Sequence, residues 1–373
     1  MRYQPSLDGV RAWSAILVFS FHATSSFGVA PVARGASIGL TMFFVISGYL
    51  ITTLLLVEQV DRGGISLRSF YIRRALRLLP AIVLVAAATV LISAALGIGD
   101  TSSAVLAAAA AVFYFGNWLA IADPGSLGML IHTWSLSVEE QYYATWPPAL
   151  TWLLRRGWSL ARLMRWLLGV IVALVVIRTA IWTAIYHPGI NTQAYFYNTF
   201  ARADEALIGS LLGIALVDER WRRLLRPFQH RGVGITAFVV LSFGMLTVQV
   251  RSPFMYFGGF TFFAVVTAVM VLHLVGDDTR SPIVRILSVA PLTWLGRRSY
   301  GFYLLHIPVL KVIGEEFYSP LDLRVSTYWA LSLVVTLVLT ALMYRYVEKP
   351  FLRLKDRAFR RAPEEIDPAT VVP

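Results

Sequence analysis

The sequence predicts an all-α fold: a polytopic membrane helix bundle with about ten spanning helices, one re-entrant or partial segment and both termini in the cytoplasm. Apolar residues make up 57% of the 373 residues and charged residues only 14%, about half the charged fraction of a soluble domain. Stretches of about 17–23 residues are nearly free of charge, the length that a helix needs to cross the hydrocarbon of a bilayer. The arginines cluster between these stretches.

Ten apolar stretches are predicted to be the spanning helices, because a backbone amide at membrane depth must be hydrogen-bonded within its own segment. They lie at about 9–29, 37–57, 78–97, 138–154, 166–186, 203–217, 233–250, 257–275, 299–313 and 327–347. An eleventh apolar stretch lies at about 104–121.

The basic residues orient the bundle, since loops rich in Lys and Arg face the cytoplasm. Five segments hold most of the 33 basic residues: 62–77, 155–165, 220–231, 280–298 and 345–361. Outside these segments and the N-terminal stretch lie six: Arg34, Arg178, Arg202, Arg251, Lys311 and Arg324. The net charge of +12 is therefore placed on the cytoplasmic face and does not indicate a nucleic-acid partner.

The charge pattern also predicts which apolar stretch fails to cross. The chain is cytoplasmic on both sides of residues 78–154, so an even number of crossings must lie between. Three apolar stretches lie there, however, so one of them cannot be a full crossing. The middle one, 104–121, is followed by the helix breaker Pro124. We expect 104–137 to enter the membrane and return. Irregular backbone at that depth is tolerated only inside protein or beside a wet cavity, so residues 131–140 should line a cavity.

Arg11 and His22 are the first candidate functional pair, because an ionisable group inside a membrane is costly and therefore commonly functional. Eleven residues separate them by about 16 Å along one helix, on nearly one face. Arg11 should lie near the inner interface and His22 deeper, toward the outside. The alternative is an arginine that reaches the interface and a histidine that is bonded to a neighbouring helix.

Arg74 and Arg77 lie one turn apart at the inner end of a predicted span. Guanidinium groups bind phosphate through paired hydrogen bonds. From spacing alone, ordinary anchoring at the cytoplasmic surface or contact with lipid headgroups is favoured.

Residues 132–143 hold two adjacent carboxylates, Glu139 and Glu140, which face different ways on a helix, so one of them can point inward. An inward carboxylate could orient a histidine or take its proton, or it could instead pair with Arg178. Asp204 and Glu205, at a helix start, are expected to complement the helix dipole.

His306 and Tyr300 lie in a later span that Pro308 should kink. The tyrosines of this span could serve packing alone. Glu348, at the end of the last span, is expected to pair with an arginine.

In their order along the chain, these features resemble the acyltransferase-3 family of integral-membrane O-acyltransferases. The resemblance covers about residues 5–355 and rests on Arg11 with ten residues before His22, FFVISGYLIT at 43–52, FYIRRALRLLP at 70–80, HTWSLSVEEQYY at 132–143, SYGFYLLHIP at 299–308 and YRYVEKP at 344–350. Tyr49 stands where Phe is frequent in the family. We expect this chain to lack the extra span and the fused periplasmic hydrolase-like domain of some members.

The resemblance implies transfer of an acyl group, with acetyl expected, from a cytoplasmic acyl-CoA co-substrate to a hydroxyl of a carbohydrate or glycolipid acceptor. It implies that His22 is catalytic, that Arg11, Arg74 and Arg77 bind the acyl donor, and that Trp134, Ser135 and Glu139 build the site. We predict that Glu139 is also catalytic, by fixing the tautomer of His22. Further residues predicted to line the site are Tyr300 and His306.

Residues 1–358 are therefore predicted to form one membrane acyltransferase domain, and 359–373 a disordered cytoplasmic tail. The expected location is the bacterial inner membrane. Cysteine is absent, and no zinc-spaced cluster or glycine-rich phosphate loop is present, so we expect no metal and no permanently bound cofactor. The alternatives are an acyltransferase of another membrane class, acting on lipids or proteins, and a proton-coupled transporter. Transporters typically show repeated halves with matching broken helices, and only one irregular segment is found.

Overall fold

The computed structural model describes residues 3–25, 32–185, 192–276, 281–321 and 324–358. Within these ranges the regular structure is helical and no strand is formed, which confirms the all-α prediction. The predicted tail at 359–373 lies outside the described residues.

In the described part of the chain, ten helices of 15 residues or more form the bundle, and each overlaps one of the ten predicted spans. They are α1 Pro5–Ser25, α2 Ser37–Arg62, α3 Leu67–Leu96, α4 Trp134–Arg155, α5 Leu160–Ile185, α6 Thr199–Val217, α7 Arg231–Thr247, α8 Phe260–Leu274, α9 Ser299–Ile313 and α10 Val325–Met343.

Five helical segments among the described residues are long and apolar enough to cross a membrane, or six if the bent pair 219–229 and 231–247 is one span. The chain is therefore a multi-pass membrane protein. The count of ten crossings and the cytoplasmic position of both termini stay predictions.

Short helices connect the long ones. They are the α-helices Thr101–Val112, Gly116–Ala122, Gln193–Phe196, Glu219–Leu225, Pro282–Leu287, Ala290–Gly296, Ser319–Leu321 and Lys349–Ala358, the 3₁₀-helices Gly128–Thr133 and Arg226–Gln229, and the π-turns Met255–Gly259, Gly314–Tyr318 and Tyr344–Glu348.

The segment between α3 and α4 is broken, as its sequence predicts. Its longest helix, Thr101–Val112, has 12 residues and measures about 18 Å, well short of a bilayer's hydrocarbon core of about 30 Å. The helix ends at Val112, Tyr114 then takes the left-handed conformation with φ 59°, and a second turn precedes Gly128–Thr133. The break is confirmed, while entry of this segment into the membrane stays a prediction.

The centre of the bundle is the close crossing of α2 and α6. A Cβ added to Gly48 would collide with the backbone carbonyl of Ala206, and one added to Gly209 would collide with the carbonyl of Val45. Only glycine permits this approach of two backbones, as in other membrane helix pairs. The crossing fixes α2 and α6 against each other.

Two buried ion pairs stabilise α6, and they correct the expectation that its carboxylates only complement the helix dipole. Arg178 Nη1 lies 2.8 Å from Asp204 Oδ1, and Arg202 Nη2 lies 3.1 Å from Glu205 Oε2. A charge at this depth requires a partner. Arg178 is thus paired with Asp204 and not with Glu139.

The expected ion pair of Glu348 is also corrected. Glu348 is 7% exposed and its Oε1 has no hydrogen-bond partner, and no described arginine lies within ion-pair distance of its carboxylate.

Candidate active site

Two cavities lie on opposite sides of one layer of side chains, and we call them outer and inner after the predicted orientation of the bundle. The outer cavity has a volume of about 550 Å³, and its lining includes His22, Arg34, His132, Trp134, Arg251 and Tyr303. The inner cavity has a volume of about 180 Å³, and its lining includes Arg11, Arg74, Arg77, Glu139, Tyr300 and Tyr303. Leu40 and Tyr303 line both cavities, so the two meet there.

The start of α4 and the turn before it form much of this layer. His132 and Trp134 face the outer cavity, whereas Ser135 and Glu139 face the inner one. The prediction that residues 131–140 lie beside a cavity is thus confirmed, with a cavity on each side.

Three histidines meet beside the junction of the cavities. His22 Nδ1 on α1 lies 3.2 Å from His306 Nε2 on α9. The ring of His132 lies 4.8 Å from that of His306, centroid to centroid. His132 Nε2 lies 3.2 Å from the carbonyl oxygen of Leu304, so His132 holds its turn against α9.

The contacts of His306 assign the proton positions of this cluster. His306 Nδ1 lies against the carbonyl oxygen of Tyr303, which can only accept, so Nδ1 carries the hydrogen and Nε2 of the neutral ring is an acceptor. His22 Nδ1 must then donate to His306. The other nitrogen of His22, Nε2, is left with its lone pair and can act as a base.

Hydroxyl groups tie the layer together. The Tyr303 hydroxyl donates to the His132 carbonyl oxygen over 2.9 Å and lies 2.7 Å from Ser135 Oγ. Tyr303 therefore joins α9, which carries His306, to the turn that carries His132. Tyr300, also predicted to line the site, lines the inner cavity and donates to the carbonyl of Leu78 at 3.1 Å.

Glu139 does not orient His22. Its Oε1 accepts hydrogen bonds from Ser47 and, over 2.6 Å, from the Tyr143 hydroxyl, and these are the partners of its side chain. The tautomer of His22 is set by His306 instead, because His306 occupies the position that the sequence argument gave to Glu139. A catalytic role for Glu139 on the inner side stays a prediction.

The three arginines that were predicted to bind the acyl donor all line the inner cavity, but their charges differ. Arg74 is neutralised, since its Nε lies 2.9 Å from Glu140 Oε1 and its guanidinium lies over the Tyr143 ring at 3.3 Å from the centroid. Arg11 has only a loose pair with Asp8 at 3.9 Å. Arg77 has no carboxylate at ion-pair distance in the described part of the chain. Arg77 is thus the most available phosphate-binding group.

Several residues of this site were not predicted from the sequence. Ser47 and Tyr143 hold Glu139, and Tyr303 separates the cavities. Arg34 and Arg251 line the outer cavity. The one signal for these two arginines is their position outside the five predicted cytoplasmic segments.

Comparison with known proteins supplies the family. The family described as an acyltransferase domain matches residues 4–345. The putative peptidoglycan O-acetyltransferase YrhL of Bacillus subtilis is 33% identical over 96% of this chain and 56% of its own length. The peptidoglycan O-acetyltransferase OatA of Listeria monocytogenes is 31% identical over 94% of this chain and 56% of its own length.

A putative O-acetyltransferase of Staphylococcus aureus, SAS0844, is 30% identical over 98% of this chain and 60% of its own length. The chain thus spans a little more than half the length of the curated relatives that it matches. No solved structure matches it significantly.

Proposed function

The chain belongs to the acyltransferase domain family, and we propose that it is a bacterial inner-membrane O-acyltransferase. The proposed reaction moves an acyl group, with acetyl expected, from cytoplasmic acyl-CoA to a hydroxyl of a carbohydrate or glycoconjugate of the cell envelope. The observation that carries the proposal is that two cavities meet at Leu40 and Tyr303, beside His22 of the outer cavity: the inner cavity is lined by three arginines that can bind phosphate, and the outer cavity leaves room for a different substrate.

The acyl donor is proposed to enter from the inner side. The inner cavity, at about 180 Å³, is smaller than the usual lower limit of about 300 Å³ for a ligand pocket. It is therefore too small for the whole of a coenzyme A molecule. Its pantetheine arm and acyl end fit the narrow part, while the diphosphate stays at the mouth beside Arg77 and Arg11. Guanidinium groups suit that diphosphate.

The proposed chemistry uses the second ring nitrogen of His22, Nε2, which carries the lone pair when Nδ1 carries the hydrogen. His22 Nε2 takes the proton of the acceptor hydroxyl as its oxygen attacks the thioester carbonyl. The carbon–sulfur bond breaks, an ester forms, and the coenzyme A thiolate leaves and is protonated by the imidazolium. Alternatively, Nε2 itself attacks the thioester and carries the acyl group before the acceptor takes it. His306 stabilises the imidazolium of His22 in the first route through its Nε2 lone pair.

The names of the relatives support a peptidoglycan acceptor and acetyl as the acyl group. The test uses the purified full chain in nanodiscs, with acetyl-CoA labelled in its acetyl group and soluble peptidoglycan fragments. Coenzyme A release matched by label in an ester on the fragments is expected. Uptake of fragments or protons without coenzyme A release would instead support the transporter alternative.

A further inference from the structure

We propose that the outer cavity binds an anionic group of the acceptor saccharide, a carboxylate or a phosphate, through Arg34 and Arg251. The inference rests on the proposed function in one respect, that the acceptor occupies the outer cavity. It adds the charge of the acceptor and the residues that recognise this charge.

The placement of the arginines is the first argument. Six basic residues lie outside the predicted cytoplasmic segments and the N-terminal stretch. Arg178 and Arg202 are held in buried ion pairs, and these pairs account for their position within the bundle. Arg34 and Arg251 both line the outer cavity. An arginine on the outer side opposes the usual distribution of basic residues, and two in one cavity call for an explanation.

The lack of neutralisation is the second argument. The described lining of the outer cavity contains no aspartate or glutamate, and neither Arg34 nor Arg251 has a carboxylate at ion-pair distance among the described residues. In the inner cavity, by contrast, Arg74 is paired with Glu140. Two like charges in one cavity repel each other, and a bound anion removes this cost while making charge-assisted hydrogen bonds.

The two arginines are carried by segments that are fixed to each other. The backbone N–H of Gly35 donates to the carbonyl of Met245 over 2.9 Å. A Cβ on Gly35 would collide with the carbonyl of Gly244 near the end of α7. The residue before Gly35 is Arg34, and the turn that follows α7 leads to Arg251. Both cations are therefore presented by one packed unit at the cavity wall.

The remaining lining suits a saccharide. Amide side chains at Gln193 and Gln249 can exchange hydrogen bonds with sugar hydroxyls. Trp134, Phe196 and Tyr256 provide flat apolar faces in the same cavity, and a pocket of about 550 Å³ falls within the range of about 300–1,000 Å³ that holds small ligands. An acidic sugar can contact the amides, the rings and the arginines together.

The experiment measures binding directly, so that it does not depend on turnover. The probes are a disaccharide that bears glucuronic acid, its carboxyl-reduced neutral counterpart, and the same neutral disaccharide carrying a phosphate. Each is titrated by calorimetry against the full chain in phosphatidylcholine nanodiscs. The wild-type chain is expected to bind at least one anionic probe about tenfold or more tightly than the neutral probe, because a hydrogen bond to a charged group contributes about 1.5–3 kcal/mol.

Arg34→Gln and Arg251→Gln should each remove most of that preference, and the double variant all of it. Arg324→Gln is the matched control, since Arg324 is also an exposed basic residue outside the cytoplasmic segments and lines neither cavity. Equal binding of charged and neutral probes by the wild-type chain would overturn the proposal. So would an equal loss of affinity in Arg324→Gln.

A second arm separates a saccharide from a lipid headgroup. The titration is repeated in nanodiscs that contain phosphatidylglycerol. If this lipid abolishes the preference for the anionic disaccharide, the arginines bind lipid and the proposal is wrong. Acyl transfer is measured separately: a chain that prefers anionic probes but transfers no acetyl group contradicts the proposed function and not the anion site.

Discussion

The inner and outer cavities meet at Tyr303 but differ in volume and in the charge of their lining. The inner cavity is narrow, about 180 Å³, and its Arg74 is already neutralised by Glu140. The outer cavity is about three times larger, at about 550 Å³, and its arginines have no carboxylate partner among the described residues. A narrow cavity that holds two carboxylates beside its arginines suits one constant ligand, and a wide cavity whose described lining has arginines but no carboxylate suits a larger ligand that supplies its own counter-charge. If the acceptor occupies the outer cavity as proposed, specificity can vary on that side.

His22→Ala should have the largest effect, because it removes the proposed general base or nucleophile. Acyl transfer should fall about a thousandfold, the usual contribution of a general base or nucleophile being about 10²–10⁴-fold. The measurement is initial-rate release of coenzyme A with acetylated product. His230→Ala is the control, since His230 is exposed and lies in neither cavity. Full transfer by a correctly inserted His22→Ala chain would show that the junction is not the reaction centre.

Whether a contact at this junction can be predicted from the sequence depends on how many residues separate its two partners along the chain. His22 is conspicuous because a histidine inside an apolar stretch is rare. Its partner His306 lies 284 residues away, and nothing in either segment specifies that pairing. The nearer Glu139 was therefore given the orienting role. The helices were predictable because length and charge alone delimit them.

Pairings within one helix or between neighbouring segments were partly readable. Arg202 and Glu205 are one turn apart, a spacing that brings side chains together on a helix. The break of the segment between α3 and α4 was signalled by Pro124, but the turn at Tyr114 was not, because tyrosine carries no preference for positive φ. Cavity walls such as Arg34 with Arg251 need the tertiary packing of α2 against α7.

His306→Ala is expected to have the next largest effect. Without His306, the His22 ring loses its contact with α9 and is held less firmly, so the turnover number should fall about 10- to 100-fold, the equivalent of one hydrogen bond to a charged group. The KM for acetyl-CoA should change little. His306→Gln keeps an acceptor oxygen near His22 and should restore part of the rate.

Measuring kcat and KM separately for these two variants shows whether His306 positions His22 or only fills space. If His306→Gln is as slow as His306→Ala while both fold equally well by thermal unfolding, the orienting role is wrong.

Arg77→Gln should have a smaller effect that is confined to the acyl donor. Loss of a free guanidinium should raise the KM for acetyl-CoA about tenfold and leave the acceptor KM unchanged. Arg74→Gln should instead lower the thermal stability, because it leaves Glu140 half-buried without its partner. Arg74→Gln combined with Glu140→Gln should recover that stability. If the KM for acetyl-CoA is unchanged in Arg77→Gln, Arg77 does not bind the donor and serves only to anchor its helix at the cytoplasmic surface.

Tyr303→Phe should have the smallest effect and tests the wall between the cavities. The change removes the hydroxyl that bonds the His132 carbonyl and Ser135 but keeps the ring. About 1 kcal/mol of hydrogen bonding is lost, so the rate should fall about fivefold through a looser fit between α9 and the turn before α4. Tyr300→Phe is the matched control, because its hydroxyl bonds the carbonyl of Leu78 on α3 and does not join α9 to the turn before α4. If both variants lose the same amount of transfer, the hydrogen bonds of the Tyr303 hydroxyl are not specifically needed for transfer. The ring alone then forms the wall between the two cavities.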